Sequence, residues 1–190
     1  MKVLIIDNYD SFTYTIAFYL KELNIAYKII KNDKFKNPKK LKKYDFTHLL
    51  ISPGPNSPKE SKLSLKAIKY FKKDKKILGI CLGHQCIAHV FGGKISKLPN
   101  PTHGKVKTIK FKPNPLFKNL EQNFKICLYH SLYVSRIGKK CEILAQSEDN
   151  IIMALKHKKY DIYGIQFHPE AILSQNGKKL LKNFLALSLL

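Results

Sequence analysis

Apolar residues fall into short continuous runs in the first half of this chain and into broken, alternating runs in the second. Lys2 to Ile6, KVLII, is the kind of run that is buried on both faces of a parallel sheet. Polar turn residues Asp7 to Ser11 follow, with Asp10 or Ser11 placed to cap a helix. Phe12, Ile16, Tyr19, Leu20 and Leu23 then recur at helical spacing. Ile25 to Ile30 predicts a second strand and Phe46 to Ser52 a third. Between them Asn32 to Lys43 is a lysine-rich connection with a short helix after Pro38. Pro53 to Pro58 holds three prolines and a glycine, which makes a stiff loop, and Leu63 to Phe71 predicts a helix. A fourth apolar run, Ile77, Leu78 and Ile80, leads through Cys81 into a helix stopped by Gly92 and Gly93.

Strands alternating with helices at this spacing predict an α/β fold, with a mostly parallel central sheet flanked by helices. The site of such a sheet lies at the carboxyl ends of its strands. Beyond Gly93 the pattern changes. Lys105 to Phe111 alternates, and Phe124 to His130 and Glu142 to Gln146 read as strands. Asn150 to Leu155 and Asp161 to Gln166 read as a hairpin-like pair, so the C-terminal half carries a smaller antiparallel β portion. Ser174 to Leu189 predicts a closing helix with Leu180, Leu181, Phe184 and Leu185 on one side. At 190 residues the expected organisation is a single domain, 1–190, without repeats.

Charge changes the picture less than its size suggests. The formal net charge is +22, but Arg136 is the single arginine and the lysines are spread along the chain. Nucleic-acid readers cluster their charge and favour arginine for bidentate contacts, so no nucleic-acid partner is expected. No apolar run reaches the length of a membrane span and MKVLIIDN turns polar too soon for a signal peptide, so no membrane is expected and the expected compartment is the cytoplasm. Cysteines 81, 86, 127 and 141 show no disulfide framework.

Three segments carry candidate chemistry. Gly79-Ile80-Cys81-Leu82-Gly83 is the nucleophile-elbow pattern with sulfur for oxygen. Small flanking residues allow a sharp strand-to-helix turn, and a helix start favours a thiolate. A buried cysteine in a Gly-rich turn fits the same five residues. His168 and Glu170, in Gln166-Phe167-His168-Pro169-Glu170, lie two apart, so an extended chain would point both to one side. A carboxylate there can orient an imidazole, although a surface pair would look the same. Cys81, His84, Cys86 and His89 allow a zinc reading, but their spacing fits no regular zinc pattern and no metal is expected. His48 reads as a core histidine and His103-Gly104 as turn material.

Taken together, ICLGHQ around Cys81, SPGP at 52–55, YHSL at 129–132, QFHPE at 166–170 and DNYDSFTY at 7–14 resemble a class I, triad-type glutamine amidotransferase over essentially the whole chain. The opening octapeptide resembles the chorismate-using branch, whose small subunits serve anthranilate synthase or aminodeoxychorismate synthase. The resemblance implies a flavodoxin-like sheet, Cys81 as nucleophile, His168 as base and Glu170 as its orienter. It implies an oxyanion hole from the backbone N–H groups of Gly54 and Leu82. It implies a glutamine site formed by Pro53, Gly54, Pro55, Gln85, Ser131 and Leu132. L-glutamine would be the substrate, and ammonia would pass to a chorismate-binding large subunit. No cofactor is implied for this subunit, and Mg2+ for the partner synthase. A guanylate-synthesis partner, or a catalytically weak binding subunit, remains the alternative. Three positions depart from the family pattern: Asn56 where glycine is usual, Ala171 where serine is usual and Thr15 where asparagine is common.

Overall fold

The computed structural model describes residues 1–187. The first half comprises β1 (Lys2–Asp7), α1 (Phe12–Glu22), β2 (Ala26–Lys31), β3 (His48–Ile51), α2 (Lys62–Phe71), β4 (Lys76–Ile80) and α3 (Leu82–Val90). The second comprises β5 (Lys94–Phe111), β6 (Lys125–Arg136), β7 (Cys141–Ser147), β8 (Ile152–His157), β9 (Ile162–Ile165) and α4 (Gly177–Leu185). The strands form one sheet in the order β2-β1-β3-β4-β9-β8-β7-β5-β6. The first five of these pair in parallel and the remainder are antiparallel. The parallel part follows the flavodoxin-like 2-1-3-4-5 pattern, with β9 in the fifth place.

Strand periodicity divides the core. Val3, Ile5, Leu50, Leu78 and Ile80 face α1 and α4, packing against Ile16, Leu20, Leu181 and Phe184. Leu4, Ile6, Leu49, Ile51 and Ile77 face α2 and α3, packing against Leu63, Ile68, Phe71 and Ile87. Successive side chains point to opposite faces, so an unbroken apolar run is what a strand covered on both sides requires. Each such side chain contributes about 1.5–3 kcal/mol on burial, which holds the short strands in place.

Several boundaries differ from the sequence expectation. β3 begins at His48 rather than Phe46. β6 does not end at His130 but continues to Arg136, so Tyr129 to Leu132 lies within a strand. β5 begins at Lys94, and His103-Gly104 is part of it, at a shift in its register with β6. The closing helix starts at Gly177, not Ser174, because Asn176 takes a left-handed φ of 62° that a right-handed helix cannot pass through. The last two positions expected in that helix, 188 and 189, lie outside the described residues.

Candidate active site

The loops after β1, β3, β4 and β9 converge at the carboxyl edge of the parallel strands. The loop after β4 is the sharpest. Cys81 has φ 52° and ψ −103°, a left-handed conformation unusual for a residue with a side chain. Such a conformation costs about 1–3 kcal/mol and persists only where neighbours impose it. Here the Cys81 N–H donates to Ile165 O at 2.8 Å, and Cys81 O accepts from Gln85 N at 3.1 Å. The corner can close because Gly79 and Gly83 touch: a Cβ on Gly79 would lie 2.3 Å from the Gly83 carbonyl, and one on Gly83 would lie 2.3 Å from Ile51 O.

His168 and Glu170 sit in the turn after β9. Their side chains meet, with His168 Nδ1 2.7 Å from Glu170 Oε1. They meet through a turn rather than through the extended chain expected from their spacing, since Ala171 N–H donates to His168 O at 3.2 Å. Two bonds pin the turn to β6. His168 N–H donates to Cys127 O at 3.0 Å, and Ser174 Oγ, which donates to His168 O, accepts from Cys127 N at 2.9 Å. The His168 ring is boxed by Phe12 and Tyr129, at centroid distances of 4.8 and 5.3 Å.

These groups lie below the surface, with Cys81 5%, His168 2% and Glu170 2% exposed. Burial alone would lower the His168 pKa, but the adjacent Cys81 sulfur and the Glu170 carboxylate outweigh it and raise it well above the ordinary 6.5. His168 Nε2 has no partner among the described residues, which leaves it free to exchange a proton with Cys81. The other three cysteines are also buried thiols. Burial pushes Cys86 up to about 12 and Cys141 to about 11.

The loop after β3 places Gly54 against the corner. A Cβ there would lie 2.7 Å from Leu82 Cδ2 and 2.6 Å from Asn8 Cβ, so Gly54 and Leu82 are immediate neighbours. Asn56 takes φ 66°, the left-handed conformation that asparagine tolerates better than most residues. Pro53 is buried, and Pro55 and Asn56 are exposed at the loop's outer side.

Gln85 projects from α3 toward β6, but its amide nitrogen is already engaged. Nε2 donates to Leu132 O at 2.8 Å and to Gln166 Oε1 at 3.2 Å. Its Oε1 is therefore the atom left for a ligand. Ser131 is exposed and Leu132 half-buried on β6, and the carbonyl of Tyr129 faces the Cys81 thiol at 3.8 Å.

Sequence pattern alone passed over the residues that hold this arrangement. Asp7 is fully buried. Its Oδ1 accepts from Tyr9 N, Asp10 N and Thr13 Oγ1, and its Oδ2 meets Lys31 Nζ at 2.6 Å. Burial would raise its pKa, but the Lys31 ammonium and the Thr13 hydroxyl hold it below the usual carboxylate value. Asn8 donates to Ser52 O at 2.9 Å and accepts from Asn32 and Ser64, tying the loops after β1 and β3 together. Gln166 donates to Cys81 Sγ at 3.6 Å. The available signal was polarity at the ends of buried strands, which marks a site edge without naming a role. His84 and Cys86 of the zinc reading are both fully buried on α3. His84 packs against Gly164, with Nδ1 2.8 Å from a Cβ built there. His48 is a buried strand residue whose Nδ1 lies 2.8 Å from Thr47 Oγ1; burial, with help from Lys76, pushes its pKa down to about 4.

Comparison with known proteins shows which family the chain falls in. Residues 4–187 match the family model for class-I glutamine amidotransferases. Anthranilate synthase component 2 of Cyanophora paradoxa is 46% identical, the match covering 96% of this chain and 97% of that protein. Aminodeoxychorismate synthase component 2 of Klebsiella aerogenes is 41% identical over 96% and 98% of the two chains. In two longer relatives the matched stretch is 25% and 32% of their length. Among solved structures, a putative GMP synthase subunit from Thermoplasma acidophilum superposes with a TM-score of 0.86 at 26% identity, covering 97% of this chain and 92% of that one. The chain belongs to the class-I glutamine amidotransferases.

Proposed function

We propose that the chain hydrolyses L-glutamine at Cys81 and passes the ammonia to a chorismate-aminating partner subunit. The observation that carries this reading is the Cys81 corner beside an imidazole held at 2.7 Å by Glu170. In this mechanism His168 takes the thiol proton and the sulfur attacks the side-chain amide carbon. The tetrahedral oxyanion lies between the backbone N–H groups of Gly54 and Leu82. One such donor is worth about 10²–10³-fold in rate in a well-studied hydrolase. His168 then gives its proton to the leaving nitrogen, ammonia departs, and a thioester remains on Cys81. Water, deprotonated by His168, attacks that thioester, and glutamate leaves as the thiol re-forms. Glu170 keeps the imidazole in one orientation and stabilises its protonated form.

Pro53, Gly54 and Pro55 form one wall of the glutamine site, and Ser131 and Leu132 the other. Gln85 Oε1 would accept from the substrate's ammonium group. Nucleophile, protons and water suffice for these steps, so in this reading the subunit uses no cofactor, and Mg2+ belongs to the partner's reaction. The partner assignment is supported by relatives named as component 2 of two synthases, at 46% and 41% identity, so both large subunits are to be assayed. The 0.86 superposition favours a GMP-synthesising partner as a second reading, but its 26% identity ranks it behind.

The test is glutamate release from glutamine with and without each large subunit, in wild type and Cys81→Ser. Wild type should turn over, and the serine variant should be slower by about 10³-fold or more. The variant's complex should still use added ammonium. A serine variant as active as wild type would refute the assignment.

A further inference from the structure

The β5–β6 ladder is interrupted beside Cys81. Lys97 pairs with Leu132 and Thr102 with His130, so four residues on β5, Leu98 to Pro101, stand opposite Ser131 alone. Two of the four are prolines, which cannot donate to a ladder. Ser131 has no partner residue in that ladder. The strand is held across the break by side chains instead. Thr102 Oγ1 donates to His130 O at 3.0 Å. Leu132 O accepts both from Gln85 Nε2 and at His130 Nδ1, each at 2.8 Å.

We propose that His130 is a positioning residue for the glutamine site: through its Nδ1–H bond to Leu132 O it fixes the Ser131–Leu132 backbone where the substrate's α-amino and α-carboxylate groups bind. This rests on the glutamine reading above and extends it to a residue outside the triad. A carbonyl can only accept, so the bond places the ring proton on Nδ1. Burial pushes the His130 pKa down to about 4, so the ring stays neutral and keeps that single proton at neutral pH. The ring is 6% exposed and its Nε2 has no partner among the described residues, so Nδ1 is the atom through which it acts. Without it, Gln85 would be the one side chain left on Leu132 O, at the edge of the break where Ser131 has no ladder partner.

The test compares three substitutions in the complex with the large subunit that supports glutamine turnover. Asparagine puts its amide nitrogen near the place of Nδ1, glutamine puts it near Nε2, and leucine has none. His130→Leu and His130→Gln should raise KM for glutamine about tenfold with kcat within about twofold, the pattern of lost substrate positioning. His130→Asn should return KM to within about threefold of wild type. Ammonium-dependent product formation should not change. A histidine that only filled space would lower thermal stability in all three without separating KM from kcat. If His130→Leu does not fold, the Asn–Gln pair decides alone. Equal KM values in Asn and Gln variants, or an unchanged KM in a folded leucine variant, would overturn the proposal. Wild-type complex that uses ammonium but not glutamine would instead remove the glutamine reading, and this inference with it.

Discussion

The two halves of the candidate catalytic pair are held in opposite ways. At Cys81 the backbone sets the geometry: a left-handed φ of 52°, a glycine contact behind it, and backbone hydrogen bonds to Ile165 and Gln85. At His168 backbone bonds to Cys127 and Ala171 only place the turn, and side chains hold the base itself: Glu170 on the ring, Ser174 on the carbonyl, Phe12 and Tyr129 on the faces. The difference follows from the tasks. A nucleophile that shares its oxyanion with the next residue's N–H needs both aimed together, and only the backbone angles can do that. A base that must gain and lose a proton needs its charge stabilised, and hydrogen-bonding side chains do that.

The contrast breaks first at the glycines. Gly83→Ala puts a methyl group 2.3 Å from Ile51 O. Backbone on both sides leaves little room, so we expect a loss of about 3 kcal/mol or more, read by denaturant unfolding. At the turn, Glu170→Gln should instead preserve the fold and lower kcat by about a hundredfold. It also removes one of the groups that raise the His168 pKa. A raised imidazole pKa stabilises the folded state fully below the ordinary 6.5, and that contribution disappears as pH climbs past the raised value. The stability gap between wild type and Glu170→Gln should therefore narrow as pH increases above neutrality, as thermal melts across pH would show.

Smaller effects sharpen the same point. Cys81→Gly should be inactive yet more stable by about 1 kcal/mol, because glycine adopts positive φ without the strain. A lower melting temperature would mean that the corner is not strained. Asn56→Ala should cost about 1 kcal/mol at φ 66°, while Asn56→Gly should stay within about 0.5 kcal/mol of wild type, by the same denaturation assay.

The parallel strands were legible because burial on both faces leaves continuous apolar runs, and those runs located β1 to β4 within about two residues. The first half of β5 was not legible. Only Lys105 to Phe111 alternates and His103-Gly104 reads as turn material, yet the chain is strand from Lys94 because register shifts against β6 absorb Pro99, Pro101 and Gly104. For the same reason the YHSL segment was read at a strand end when it lies mid-strand. Cys81, His168 and Glu170 stood out as chemistry-bearing types in recognisable spacing. Asn8 and Thr102 did not, because their importance comes from partners far away in sequence, such as Ser52 and His130. Local pattern carries no information about such pairs.

The central claim is that Cys81, and no other thiol here, is the sulfur activated by His168. Treating the protein with a glutamine-shaped chloroketone tests it directly, since a thiolate displaces chloride and leaves a stable thioether that peptide mass mapping can place. One adduct is expected, on Cys81, with Cys86, Cys127 and Cys141 unmodified, and His168→Asn should slow labelling at neutral pH at least about tenfold. Comparable labelling of another cysteine, or a His168→Asn protein that labels as fast as wild type, would contradict the account.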